Sequence, residues 1–428
     1  MATEERLALV GGEKAVQLPF PEWPRKTQED ADALLAAFWG TGREAIEPGG
    51  VIGALERAFA AYQGRRYAMA TNGGTAALAL AVLASGAGPG DEVIVSPYTW
   101  GATVGCILHA GAIPVFADIA PDTLNLDPAA VASKITPRTR AVVVVHIYGQ
   151  PADMDPILEV AHGRGLAVIE DCAQAHGATY RGRKVGSIGD IGCFSFQASK
   201  HVPVGEGGIL VTDDEAFYHQ ALMYGTHPQR QGPETAGKPY AKYVDSVGYN
   251  YRIHPYAAAL GNARLPSLDG DNERRRERVG RLIEALRGVP GIEPVFPRVE
   301  AGQTYHMIPF RYRGDQLGGL PREKYREMVQ AEGVRLASYV SVPIHLRPRF
   351  QEHRFFAKGY PWASAETPVV YRPGDCPVAE RFCSEQELTL YSTPLCDASD
   401  ELIDQIAHAF VKVARGHEQL LVGARSAE

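Results

Sequence analysis

Four short runs rich in valine and isoleucine, Glu92–Ser96, Ile113–Ala117, Ala141–Val145 and Ala167–Glu170, alternate with longer stretches of helical character, Thr75–Ser85, Thr103–Ala110, Pro128–Lys134 and Met154–Arg164. Runs this short and this apolar fit strands buried on both faces, and strands separated by helices pair in parallel. The alternation predicts an α/β fold, with a large, mostly parallel sheet covered by helices on both sides. Ligands of such sheets sit beyond the carboxyl ends of the strands, where Tyr98–Trp100 and Asp171 fall. Two later runs, Cys193–Phe196 and Gly208–Thr212, flank Lys200 and are expected to form a hairpin-like edge around it.

A chain of 428 residues is long for one core. The pattern changes near Asp269, which predicts a large domain over 1–268, a linking helix over 269–288 and a smaller C-terminal α/β domain over 289–428. Residues 1–50, rich in Pro and Gly, read as an arm leading to a first helix at Gly53–Gln63. The stretch Asp271–Leu286 mixes Arg with Glu, the mark of a solvated helix face rather than an RNA-binding one. A net charge of −7 offers no general attraction for nucleic acid. No run approaches the roughly 20 apolar residues of a membrane helix. The six cysteines form no C-x-x-C pair, and Met1–Arg6 carries no basic region followed by an apolar one. Free thiols in a cytoplasmic protein are the expectation.

Lys200 lies among Phe194, Phe196, Ala198 and Val202. Most lysines are solvated surface charges, but these neighbours are a poor setting for an unpaired ammonium. Desolvation lowers an amine's pKa and makes it nucleophilic. Asp171 ends an apolar strand in Glu170-Asp171-Cys172, upstream of Lys200. A lysine to hold an aldehyde as a Schiff base and an acid to keep a ring nitrogen protonated are what pyridoxal phosphate needs from a protein. The plainer reading of Asp171 is a strand-end residue capping a turn.

Thr71-Asn72-Gly73-Gly74-Thr75-Ala76 opens a helix after an apolar segment. Its glycines admit close approach, and the helix amides with the Thr75 hydroxyl suit a phosphate; alternatively, Thr75 merely caps the helix. Ser195 is placed to add a hydroxyl to the phosphate, or is an ordinary strand residue. Trp100 is positioned to stack on a flat ring, though a Trp after a strand is often core. Gln174 has either a ring hydroxyl oxygen or loop packing as its task.

Through Gly73-Gly74-Thr75-Ala76, Gly90-Asp91-Glu92-Val93, Tyr98-Thr99-Trp100, Ile169-Glu170-Asp171, Phe194-Ser195-Phe196 with Lys200, Gly205-Glu206-Gly207-Gly208, Gly248-Tyr249-Asn250-Tyr251-Arg252 and Pro343-Ile344-His345, the chain resembles the DegT/DnrJ/StrS aminotransferases. The resemblance implies the aspartate-aminotransferase-like pyridoxal-phosphate fold type I, with Gly74, Thr75, Ala76, Trp100, Asp171, Gln174, Ser195 and Lys200 around the cofactor. It also implies a homodimer in which Asn250 reaches the partner's cofactor phosphate. Family members move an amino group from glutamate or glutamine to a keto-sugar, usually nucleotide-linked, and a subgroup aminates free cyclitols such as scyllo-inosose. Val10–Lys14, Pro21–Pro24 and Phe196–Lys200 look more like the cyclitol subgroup and like 3-amino-5-hydroxybenzoate synthase. Nucleotide-sugar members more often have Asn after the lysine, where His201 stands here. The family's dehydratases have His in place of the lysine, so Lys200 favours transamination over loss of water. His201, Tyr339, His345, Arg347, Arg349 and a 227–240 loop are candidates for contacts to the acceptor, and Arg252 for the donor carboxylate, none with a motif behind it. A silent sugar-binding regulator is the expectation from another class.

Overall fold

The computed structural model describes residues 5–40, 49–295, 301–365 and 367–419. Seven strands form the central sheet: β1 (Tyr67–Thr71), β2 (Glu92–Val95), β3 (Ile113–Phe116), β4 (Thr139–Val145), β5 (Ala167–Asp171), β6 (Ile191–Ser195) and β7 (Gly208–Thr212), in the order β1-β7-β6-β5-β4-β2-β3. The pairs from β3 to β6 are parallel, and β7 runs antiparallel to both its neighbours. Alternation along each strand divides its side chains between two cores. Val93, Val143 and Ile169 enter one, and Ile94, Val142, Val144 and Val168 enter the other. Both faces are covered, which is why the strands read as unbroken apolar runs.

One expectation is corrected here. β6 and β7 do pair antiparallel around Lys200, but β1 lies on the outer side of β7, so the pair sits inside the sheet and not at its edge. Every residue of Gly208–Thr212 is buried, as an interior strand requires.

The N-terminal segment is more than an arm. It contains a helix, α1 (Gln28–Gly40), ahead of α2 (Val51–Gln63). Thr27 and Asp30 start α1 reciprocally: the Asp30 amide donates to Thr27 Oγ1 and the Thr27 amide to Asp30 Oδ2, both at 3.2 Å. That T-x-x-D pattern is a capping box with Asp in the acidic position, and it was readable from the sequence. Arg264 pairs with the Asp30 carboxylate at 2.7 Å and ties α1 to the helix Pro255–Arg264.

The smaller sheet comprises β8 (Ile292–Pro294), β9 (Met307–Tyr312), β10 (Leu336–Ala337) and β11 (Glu387–Tyr391), in the antiparallel order β8-β9-β11-β10. Leu7 and Val16 are buried in its core beside Phe310, Ile406 and Phe410. The amides of Ala8 and Ala15 donate to the buried Glu332 carboxylate at 2.8 and 2.9 Å, and Lys412 pairs with it at 2.8 Å. Conversely, Ile344, Phe350, Trp362 and Phe382 pack into the core of the large sheet.

The linking helix runs Leu268–Ala285 and is not simply exposed, because Arg275, Val279, Leu282 and Ile283 are buried. Its outward arginines pair with acids near the start of the helix Asp400–Gly416: Arg278 and Arg281 with Asp400, and Arg281 with Asp404. All six cysteines are buried and free. Among the described residues, no helix is long and apolar enough to cross a membrane.

Candidate active site

The carboxyl ends of β2, β5 and β6 meet the N-terminus of α3 (Gly74–Ala84) and strands β10 and β11 of the smaller sheet around a cavity of about 700 Å³. Lys200 reaches it from a loop between β6 and β7. The loop's backbone is tied at Phe196 to Gly207, Ala198 to Gly205 and Lys200 to Gln197, all within 2.9 Å. Two distant segments hold the same loop. Trp23 Nε1 donates to the Lys200 carbonyl at 3.2 Å, and Tyr391 Oη to the Ser199 carbonyl at 2.7 Å. Burial lowers the Lys200 amine to a pKa of about 8, against the pull of the Asp171 charge.

Asp171 is buried at the end of β5. Thr103 Oγ1 donates to its Oδ2 at 2.8 Å and the Ala173 amide to its Oδ1 at 3.1 Å. Burial raises its pKa, while the Thr103 hydroxyl, the Ala173 amide and Lys200 act in the opposite sense. Thr103 is a site residue that motif reading missed. It lies one helical turn after Thr99, in the first turn of α4 (Gly101–His109), and the two hydroxyls are 3.0 Å apart.

Gly73 precedes α3 without a side-chain cap, leaving first-turn amides free at the cavity. Gly74 has no room for a side chain, since a Cβ there would lie 2.7 Å from Ser195 Cβ. Thr75 is exposed in this first turn, and Ser195 lines the cavity. Gln174 accepts from the Tyr148 amide and donates to Tyr339 Oη, each at 2.7 Å. One Nε2 hydrogen therefore remains to be donated. Trp100 is 63% exposed at the rim, which excludes the core alternative, and it stacks on Tyr339 with 6.2 Å between ring centroids. Behind Tyr339, the buried Glu387 carboxylate accepts from the amides of Tyr339 and Val340 and from the hydroxyls of Tyr98 and Tyr148. This network joins the smaller sheet to the loops of the large one beside the site.

Of the remaining expected residues, Tyr339 lines the cavity, but His201 and His345 do not. His201 is buried, with Nε2 3.2 Å from the Thr304 carbonyl and its ring between those of His176 and His306. His345 is buried against Glu380 at 2.9 Å. Ala76 is buried behind the lining. Asn250 is exposed next to Asn72, outside the cavity of this chain. Arg347 donates to the Val342 carbonyl, and Arg349 covers the Phe355 ring. The supposed 227–240 loop contains a helix, Pro228–Thr235, whose Arg230 pairs with the largely buried Glu56. Unforeseen cavity residues include Glu206, His306, Arg335 and Tyr391.

Residues 27–410 match the DegT/DnrJ/EryC1/StrS aminotransferase family. The chain belongs to that family. It is 36% identical to an L-glutamine:2-deoxy-scyllo-inosose aminotransferase of Streptoalloteichus tenebrarius, over 97% of this chain and 99% of the relative. Its fold matches 3-amino-5-hydroxybenzoic acid synthase with a TM-score of 0.77 and 28% identity, covering 93% of this chain and 99% of the other. It also matches DesI, whose structure was determined in the presence of its TDP-sugar product, with a TM-score of 0.79, 29% identity and coverage of 98% and 99%. The protein is thus an aminotransferase of fold type I, and its cofactor is pyridoxal phosphate.

The cavity suits that group. A buried carboxylate bonded, among the described residues, to a hydroxyl and an amide alone is ready for a cationic N–H, and an uncapped helix start with a close-packed glycine is ready for a phosphate. Bound there, pyridoxal phosphate supplies an aldehyde for covalent capture and an electron sink for the carbon that loses its proton. The capture step has a defined pH dependence. A Lys200 that captures the aldehyde would attack only as the free amine, so cofactor uptake by the cofactor-free protein should then speed up about tenfold per pH unit and level off above about pH 8. An unshifted lysine would still be gaining speed at pH 10. Stopped-flow absorbance across this range distinguishes the two profiles.

Proposed function

We propose that the protein is a cytoplasmic aminotransferase that moves an amino group from glutamine or glutamate onto a keto-cyclitol, in aminoglycoside antibiotic or related secondary-metabolite biosynthesis. In this reading Lys200 is the catalytic amine, and Asp171 holds the ring nitrogen. Gly74, Thr75, Ala76 and Ser195 receive the phosphate, Trp100 and Gln174 contact the ring, and Tyr339 borders the acceptor. The observation that carries the chemistry is the Lys200 amine, held near a pKa of about 8 in one cavity with a buried carboxylate. The choice of acceptor is supported by the likeness to the 2-deoxy-scyllo-inosose enzyme along 97% of the chain.

The reading includes a homodimer with shared sites. Leu35, Phe38 and Trp39 on α1 are 56%, 56% and 81% exposed, an apolar surface suited to a second copy. Asn250 is exposed and free to reach a partner's cofactor phosphate.

A second reading, with a nucleotide-linked keto-sugar as acceptor, is favoured by the likeness to DesI. The experiment is a panel of keto-cyclitols and nucleotide keto-sugars incubated with glutamine and the loaded enzyme, with amines and 2-oxo acid quantified by mass spectrometry. Stoichiometric amination of a cyclitol alone is the expected result. Amination of nucleotide sugars alone selects the second reading, and loss of water without amino transfer points to synthase-type chemistry. If Lys200→Ala retained full biological activity, a silent regulator would replace both readings.

A further inference from the structure

An α-amino acid donor brings an anionic carboxylate into the cavity, where a cation must meet it. Among the described residues lining the cavity, Lys200 and Arg335 carry the only full positive charges. Lys200 is committed to the donor's nitrogen and to the proton that moves. The free amides of α3 and the Thr75 hydroxyl are committed to a phosphate. Arg252, the earlier candidate, does not line the cavity; its backbone bridges Thr71.

Arg335 stands immediately before β10, on the strand that leads through Ala337 and Ser338 to Tyr339 along the cavity wall. Its guanidinium lies over the Phe20 ring, with Cζ 5.2 Å from the centroid. That contact uses the π-face of Phe20 and takes up no N–H donor in a hydrogen bond, so the N–H edge of the planar group stays available. The edge matches a carboxylate in a two-point fork. Arg335 is exposed, so no desolvated ion pair has to be broken before a substrate binds. The N-terminal segment, by supplying Phe20, orients a substrate-facing cation.

We propose that Arg335 binds the α-carboxylate of the amino donor. The assignment rests on the reading above that the donor is glutamine or glutamate. The two half-reactions separate the donor from the acceptor. Glutamine is mixed with the pyridoxal form, and the keto acceptor with the pyridoxamine form, each followed by absorbance in a single turnover. Arg335→Ala should raise the glutamine half-saturation concentration by about 10- to 100-fold, the usual effect of losing a charge-assisted pair. It should change the acceptor half-reaction by less than about threefold. Arg335→Lys should recover part of the loss, and a donor with an α-carboxamide should not distinguish Arg335→Ala from wild type.

A readout independent of turnover is calorimetric titration with 4-carbamoylbutanoate, which is glutamine without its amine. Its affinity should fall in parallel with that of glutamine. An Arg335→Ala enzyme with unchanged glutamine saturation and unchanged 4-carbamoylbutanoate affinity, beside an active wild type, overturns this inference alone. A defect confined to the acceptor half-reaction overturns it as well and moves Arg335 to the acceptor. A wild type inert toward both glutamine and glutamate overturns the proposed donor, and this inference with it.

Discussion

Lys200→Ala is expected to yield a folded protein whose turnover is at least about a thousandfold below wild type, the scale of losing a positioned proton-transfer group together with a covalent anchor. Folding should survive because Lys200 holds its loop through backbone atoms. Its amide donates to Gln197, and its carbonyl accepts from Trp23. The side chain adds a partly desolvated amine facing Asp171, which removal relieves rather than breaks. Wild type loaded with cofactor should absorb at roughly 420 nm through the covalent link, and Lys200→Ala should not. Borohydride treatment of wild type followed by peptide mapping should find the label on Lys200. A label on another lysine, or a variant within tenfold of wild type, sinks the assignment.

Asp171→Asn is the second large effect, a loss of about 10²–10³ in kcat, comparable with removing one preorganised electrostatic group from a buried site. The substitution nearly preserves shape. Asn can still accept from Ala173 and meet Thr103, so the end of β5 should hold. What disappears is the negative charge that would keep a ring nitrogen protonated. Burial by itself biases the Asp171 carboxyl toward its neutral form, so without a cationic partner it ionises at a higher pH than usual. A cationic ring partner reverses that bias. The expected signature is a fall in kcat larger than any change in donor KM, with a weaker hold on the cofactor measured by equilibrium dialysis. A kcat within about threefold of wild type excludes the role.

The large sheet was legible because each of its strands is apolar along its whole length and each intervening helix has its own period. Val93 with Val95 and the intervening Ile94 show why, since opposite faces of one strand are both buried. Asp171 stood out because it ends an apolar strand, and Lys200 because its neighbours in sequence are apolar. The position of β7 was not legible, since local pattern does not say that β1, more than a hundred residues upstream, covers its outer side. α1 was harder to read because prolines and glycines flank it, although the Thr27–Asp30 pattern marks its start. Thr103 and Arg335 escaped for another reason. Each matters through a partner brought near only by tertiary folding, Asp171 in one case and the cavity itself in the other. His201 and His345 lie outside the cavity, since each turns its Nε2 to a polar partner elsewhere, and a histidine near a motif says nothing about which way its ring faces.

Leu7 shares a core with Phe410, and its amide donates to the Gln419 side chain. This closure sets an order on the birth of the molecule at the ribosome. The seven-stranded sheet has all its strands once residue 212 has emerged, whereas the core around the smaller sheet stays unfinished until the helix Asp400–Gly416 leaves the exit tunnel. Until then the opening segment, with its apolar Leu7 and Val16, can close on only part of its core, and the nascent chain is more vulnerable to chaperone capture or aggregation.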